Sequence, residues 1–187
     1  HMAEYMGGRI DAIVGVGPCS VGGESTIVDL TETPPRLLRP GGITLEQLES
    51  VLGRVEVDQA VTRLMSAGGK PRAPGMKYRH YAPKAPVTVV ACPPERTAEH
   101  IARSLTPGDG VICFDEFAGE FPGCQIQRMG PAGDKSAQAR HIFDALRAFD
   151  HTEVPRIWAQ CPDPSGLGLA INNRLNKAAG FHIVEVK

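Results

Sequence analysis

The chain has 187 residues, 42% of them apolar, and a formal net charge of −1 from 20 basic and 21 acidic side chains. That length buries one full core and a small second unit, and the charge balance supplies no global positive field to hold nucleic acid through its phosphates. No apolar run approaches the ~20 residues that cross a bilayer, and no signal-peptide pattern opens the chain, so a soluble cytoplasmic protein is the expectation.

The five cysteines, Cys19, Cys92, Cys113, Cys124 and Cys161, are odd in number and form no Cys-x-x-Cys pair. They read as reduced, mostly buried thiols rather than a disulfide framework or a zinc knuckle. His1 and Met2 have the look of an expression-vector scar, which makes residue 3 a cut within a longer natural protein.

In chain order, Arg9 to Val14 (RIDAIV) is a short β-branched run ending in the turn-rich GVGPCSVGG of residues 15–23, the pattern of a strand entering a glycine loop. Glu24 to Thr31 (ESTIVDLT) alternates polar and apolar residues. After Pro34-Pro35 the segment Arg36 to Arg39 (RLLR) is also extended, which predicts a hairpin-like pair. Thr44 precedes LEQLESVLG with Gln47 three residues on, a capping box opening a helix of about two turns that stops at Gly53. Residues 1–57 thus read as strand, strand, strand, helix.

From Asp58 to Pro86 neither period survives, and SAGGKPRAPGMKYRHYAPKAP (residues 66–86) reads as a linker. Its rings, Tyr78, His80 and Tyr81, are unusual for a flexible spacer and predict a linker that is ordered and docks. Beyond it, VTVVAC, VICF (111–114), VPRIWA and HIVEV read as strands, while 94–105, 136–149 and 166–179 read as helices. Apolar strands alternating with helices predict an α/β, Rossmann-like, mostly parallel sheet with helices on both faces, spanning 87–187.

Four segments could carry chemistry. In Gly15 to Asp29, glycines let a ligand approach the backbone beside the hydroxyls of Ser25 and Thr26; the plainer alternative is a bulge at Gly22-Gly23 with Ser25 facing water. Arg39-Pro40-Gly41-Gly42 sets a guanidinium next to a helix N-terminus, an arrangement that suits phosphate, although a solvated turn arginine explains it equally. Lys77-Tyr78-Arg79-His80-Tyr81 combines cations, aromatic faces and an imidazole that could fold over a nucleotide, or could simply tack the linker down. Ser165-Gly166-Leu167-Gly168 follows a strand and opens a helix, but it lacks the third glycine and downstream acid of a dinucleotide fingerprint and reads as helix-start punctuation. His100, His141, His151 and His182 have no metal-ligand spacing and read as surface or helix-face residues.

Taken in order, VGGESTIVDLT, RLLRPGGIT, PRAPGMKYRHYAPKAPV and GLGLAINNRLNKAAG give the chain a resemblance to the long-form threonylcarbamoyl-AMP synthases, almost throughout. The resemblance implies the end of an α+β YrdC-like catalytic domain (1–57), an extended interdomain linker (58–86) and a Rossmann-like C-terminal domain (87–187). It also implies a nucleotidyltransferase chemistry in which L-threonine, bicarbonate and ATP, with Mg²⁺, give threonylcarbamoyl-AMP and pyrophosphate for tRNA modification. By the same resemblance Ser25 contacts threonine, Arg39 contacts the nucleotide phosphates and Tyr78 closes over ATP, with Lys77 and His80 as further candidates.

The family's lysine, arginine and Ser-x-Asn elements are absent from this sequence, so the chain alone is expected to be inactive, to hold no cofactor and to leave the strands of residues 9–39 with unpaired edges. Two rival readings remain open: a noncatalytic module that senses a small ligand near Asp163 to Gly168, and a scaffold for partner proteins of tRNA modification.

Overall fold

The computed structural model describes residues 6–14, 17, 22–65, 71–74, 82–91 and 93–186. Its first part is a small sheet, with β1 (Ile27–Asp29), β2 (Arg36–Arg39) and β3 (Glu56–Val57) in the order β1-β2-β3. The anticipated hairpin is present: β1 pairs antiparallel with β2, Val28 opposite Leu37, with a register irregularity at Ile27/Val28. Helix α1 (Leu45–Leu52) begins where the capping box places it, Gln47 N donating to Thr44 Oγ1 (3.3 Å) and Thr44 N to Gln47 Oε1 (2.9 Å).

Two expectations for this part are corrected. Arg9–Asp11 forms turns and bends and residues 12–14 no regular structure, so RIDAIV is not a strand. Its β-branched residues supply propensity, but no described strand pairs with it, and Val14 is 90% exposed. Nor are all the strands open-edged, because β2 is paired on both sides.

The described residues of 58–74 pack against the small sheet, while the rings Tyr78, His80 and Tyr81 that predict docking lie outside the described residues. Asp58 caps a single turn, α2 (Gln59–Thr62), by accepting from Ala60 N, and Ala60 and Ala73 bury against Leu38 of β2.

The second part is a five-stranded, wholly parallel sheet ordered β6-β5-β7-β4-β8. Its elements are β4 (Val87–Ala91), α3 (Pro94–Ser104), β5 (Gly110–Cys113), β6 (Gln125–Arg128), α4 (Lys135–Ala148), β7 (Ile157–Cys161), α5 (Gly168–Ala178) and β8 (Ile183–Glu185). The chain runs from β4 out to β6 and then returns, and this reversal places helices on opposite faces. Val89, Ile112, Ile157 and Ala159 pack under α4 and α5, while Val90, Val111 and Trp158 pack under α3. At about 1.5–3 kcal/mol for each fully buried large apolar side chain, these two layers hold the domain together.

Strand β6 (QIQR) escaped sequence reading because it lies at the sheet edge, where only Ile126 of its four residues is apolar. Strand β7 extends two residues beyond the reading because Gln160, although polar, is fully buried. Its Nε2 donates to Pro94 O (2.9 Å) and Thr97 Oγ1 (2.8 Å), and its Oε1 accepts from Phe114 N (3.0 Å).

Asp109 is likewise fully buried and satisfied. It accepts from Thr106 N (2.9 Å), Arg156 Nε (2.9 Å) and Trp158 Nε1 (3.3 Å). Desolvation works against its ionised form, but these donors outweigh it and hold the carboxyl below its usual range. Its contribution to stability is therefore complete above the ordinary carboxylate range and is lost as pH falls through the depressed value. Replacing Asp109 with Ala orphans four donors, the Thr106 hydroxyl at 3.1 Å included, and should cost about 3 kcal/mol, read as a lower urea midpoint with unchanged slope. A loss below about 1 kcal/mol would contradict this account of the cluster.

Candidate functional site

Arg39 and Ser25, singled out in different segments, meet in space. Arg39 leaves the end of β2, where its Nε donates to Ser25 O (2.9 Å) and its Nη2 to Ser25 Oγ (2.9 Å). A third contact, Nη1 to Pro74 O at 3.5 Å, brings the linker to the same guanidinium. The turn after β2 makes this possible: a Cβ on Gly41 would lie 2.3 Å from Glu24 O and 2.5 Å from Thr26 N, so only glycine lets residues 40–42 lie directly on residues 24–26. Thr26 then locks the turn, its Oγ1 donating to Ile43 O (2.8 Å) and accepting from Ile43 N (3.0 Å). The plainer reading of Ser25 was right in one respect, since the residue is exposed, but its hydroxyl is held by Arg39.

Among the described residues, Arg39 uses three of its five N–H groups in these contacts, and Ser25 Oγ accepts one bond and makes no donation of its own, so both have capacity to meet a ligand. The arrangement can hold an anion at the guanidinium and a second polar ligand at the hydroxyl, the two side by side. Tyr78, Lys77 and His80 lie outside the described residues, as do Cys19 and Cys92; Cys113 and Cys161 are buried.

The α/β domain reaches this region through α5, a contribution sequence reading missed. Arg174 pairs with Glu24, the neighbour of Ser25, at 3.4 Å, and stacks over Phe143 at 5.0 Å. Asn173 Nδ2 donates to Val61 O (2.7 Å), fixing α2. Lys177 is 8% exposed; burial lowers its pKa, Glu24 opposes the shift, and Arg39 and Arg174 add to it. The available signal was the spacing of Asn173, Arg174 and Lys177, a polar stripe at helical period on an otherwise buried helix.

The Ser165–Gly168 loop is helix-start punctuation, as read. A Cβ on Gly168 would meet Asp163 O at 1.9 Å, and the Gly166 amide is already taken by Glu46 Oε1 of α1 at 3.0 Å. Among the described residues no three His, Cys, Asp or Glu side chains group closely enough to hold a metal, and no helix is long and apolar enough to cross a membrane.

Comparison with known proteins gives the geometry a context. The family profile described as the C-terminal domain of threonylcarbamoyl-AMP synthase matches residues 43–180. A Bacillus subtilis threonylcarbamoyl-AMP synthase is 41% identical over 187 residues, covering 98% of this chain and 53% of its own length. One from Pyrococcus abyssi is 41% identical over 190 residues, covering 100% and 54%. The crystal structure of P. abyssi Sua5 complexed with L-threonine superposes with a TM-score of 0.82 at 39% identity, covering 100% of this chain and 54% of that one. The chain therefore spans about half the length of the curated relatives it matches.

Beside the loop, Lys135 Nζ donates to Asp163 Oδ1 (2.8 Å) and to Ser165. Hydrogen bonds from Lys135 and then Ser165 lower the Asp163 pKa from 3.8 to about 2. Any stability this carboxylate provides is complete above 3.8 and disappears as pH falls through about 2. A carboxyl NMR titration should place its inflection near 2, and Lys135→Met should move it up toward 3.8; an unchanged inflection in that variant would assign the shift to other groups.

Proposed function

The chain belongs to the threonylcarbamoyl-AMP synthase family, and on that premise we propose that it supplies the end of the catalytic domain, the linker and the accessory α/β domain of such an enzyme. The reaction joins L-threonine, bicarbonate and ATP. Threonine's amine takes up bicarbonate with loss of water, and an oxygen of the resulting carbamate attacks the α-phosphorus of ATP. The bond from that phosphorus to the β-phosphate breaks, pyrophosphate leaves, and threonylcarbamoyl-AMP remains for modification of an adenosine beside the tRNA anticodon.

In this reading Arg39 holds the nucleotide phosphates and Ser25 holds threonine. The observation that carries it is the 2.9 Å bond between Arg39 Nη2 and Ser25 Oγ, because attack on the α-phosphate requires the two substrates to be neighbours. Arg39 offsets charge that spreads over the phosphate oxygens as the bond breaks. Mg²⁺ carried with the ATP substrate would supply further charge compensation beside Arg39. Tyr78, with Lys77 and His80, folds over the nucleotide and shields the carbamate and the mixed anhydride from water. Pro74, four residues ahead of Tyr78, contacts Arg39, which supports this reading.

A further observation favours a larger enzyme. The exposed large apolar side chains described here, from Ile10 and Val14 to Val51 and Leu64, all lie between residues 10 and 64. Exposed apolar side chains concentrated in this one part suit burial against the remaining half of a synthase of the relatives' length.

Two measurements test the proposal. In a full-length synthase carrying this sequence, Arg39→Ala should lower kcat/KM for ATP by about 100-fold or more, while Ser25→Ala should raise KM for threonine by about tenfold. Equal loss toward both substrates from either change would remove the assigned roles. The 187-residue chain alone should release no pyrophosphate with ATP and threonine; release at a rate comparable to a full-length enzyme would overturn its placement as a partial site.

A further inference from the structure

The parallel sheet changes its winding direction between two adjacent strands: the chain leaves β4 toward α3 on one face and leaves β7 toward α5 on the other. Such a reversal opens a crevice at the carboxyl ends of the strands, the place where open α/β sheets take ligands. Here the crevice is a cavity of about 690 Å³, within the usual size of a small-molecule site. It is separate from the Ser25–Arg39 contact, and none of the relatives' names assigns it a ligand.

Its walls are apolar and its polar groups are chiefly acceptors. Ala91 and Phe114 stand at the strand ends, with Ile183 at the side. Asn172 and Asn176 enter from α5; Asn172 Nδ2 is bound to Pro162 O at 2.9 Å, while its Oδ1 is buried with no partner among the described residues. Asp163 and Glu185 add carboxylates. A buried acceptor with no donor is costly, and a ligand bearing N–H or O–H groups relieves it once the Asn172 side chain turns Oδ1 toward the cavity.

Among the described residues no lysine or arginine lines the cavity, and nearby Lys135 is bound to Asp163 and Ser165. Helix α3 opens with Pro94, which has no N–H, and the Gly166 amide before α5 is taken by Glu46. A phosphorylated ligand would thus face Glu185 and an Asp163 whose Lys135 is already engaged, with no further cation among the described lining residues.

We propose that this crevice binds an uncharged nucleoside or purine base rather than a nucleotide. A flat heterocycle fits between apolar walls, its exocyclic N–H meets Asn172 Oδ1, and ribose hydroxyls donate to an acidic side chain at the rim, as in dinucleotide folds. The inference does not rest on the synthase reading. It concerns a helix shared by both regions, because α5 turns Asn172 and Asn176 to the cavity and Asn173 and Arg174 to residues 61 and 24.

Calorimetry and amide NMR with adenosine, AMP and spermidine test it. Adenosine should bind and shift the amides of Ala91, Phe114, Asn172 and Asn176, with AMP about tenfold weaker, and Arg39→Ala should leave adenosine binding intact. Asn172→Leu should weaken adenosine by about tenfold, and Glu185→Lys, at the exposed rim, should narrow the gap between AMP and adenosine even if the first variant fails to fold. No adenosine binding at about 1 mM, tighter binding of AMP or of spermidine at these amides, or adenosine shifts confined to residues 24–39 would overturn the proposal.

Discussion

Arg39 draws three distant stretches of chain to one guanidinium: Ser25 ahead of β1, its own position at the end of β2, and Pro74 in the linker. Held this way, a planar five-donor cation gives direction as well as charge. The contact requires the turn at Gly41, which admits no side chain against Glu24 and Thr26. Filling that space would separate β2 from the segment that carries Ser25, and the juxtaposition on which the proposed chemistry depends would be lost.

The α/β domain supports this arrangement from behind. Its buried layers fix α5 on the sheet, and α5 carries Arg174 to Glu24 and Asn173 to the carbonyl of Val61. Glu46 reaches the other way, from α1 to the amide of Gly166. These are polar contacts between parts with their own sheets, and they define orientation more than they add stability. The cavity at the carboxyl ends of β4 and β7 lies on the opposite side of the same helix, so a ligand there and the Ser25–Arg39 contact would share one rigid element.

Much of the fold was legible because local chemistry and tertiary structure agree. The capping box at Thr44, the apolar strands Val87–Ala91 and Gly110–Cys113, and the hairpin of β1 with β2 all follow from pattern and stay where pattern puts them. Pattern failed where partners decide the outcome. RIDAIV has strand propensity and no described strand beside it, QIQR forms a strand because β5 offers an edge, and Gln160 is buried because α3 and β5 satisfy its amide. In the candidate site, Ser25 and Arg39 were legible individually. That they touch depends on Gly41 and on a register no local signal encodes, and the cations of α5 arrive from 135 or more residues away in sequence.

The central claim is that Ser25 and Arg39 face two substrates held next to each other. A crystal structure of a full-length synthase containing this sequence, bound to threonine and a nonhydrolysable ATP analogue, tests it most directly. The account predicts Arg39 nitrogen atoms about 3 Å from phosphate oxygens and Ser25 Oγ about 3 Å from threonine. Both ligands bound elsewhere, with the Arg39–Ser25 contact intact and solvent-facing, would contradict it.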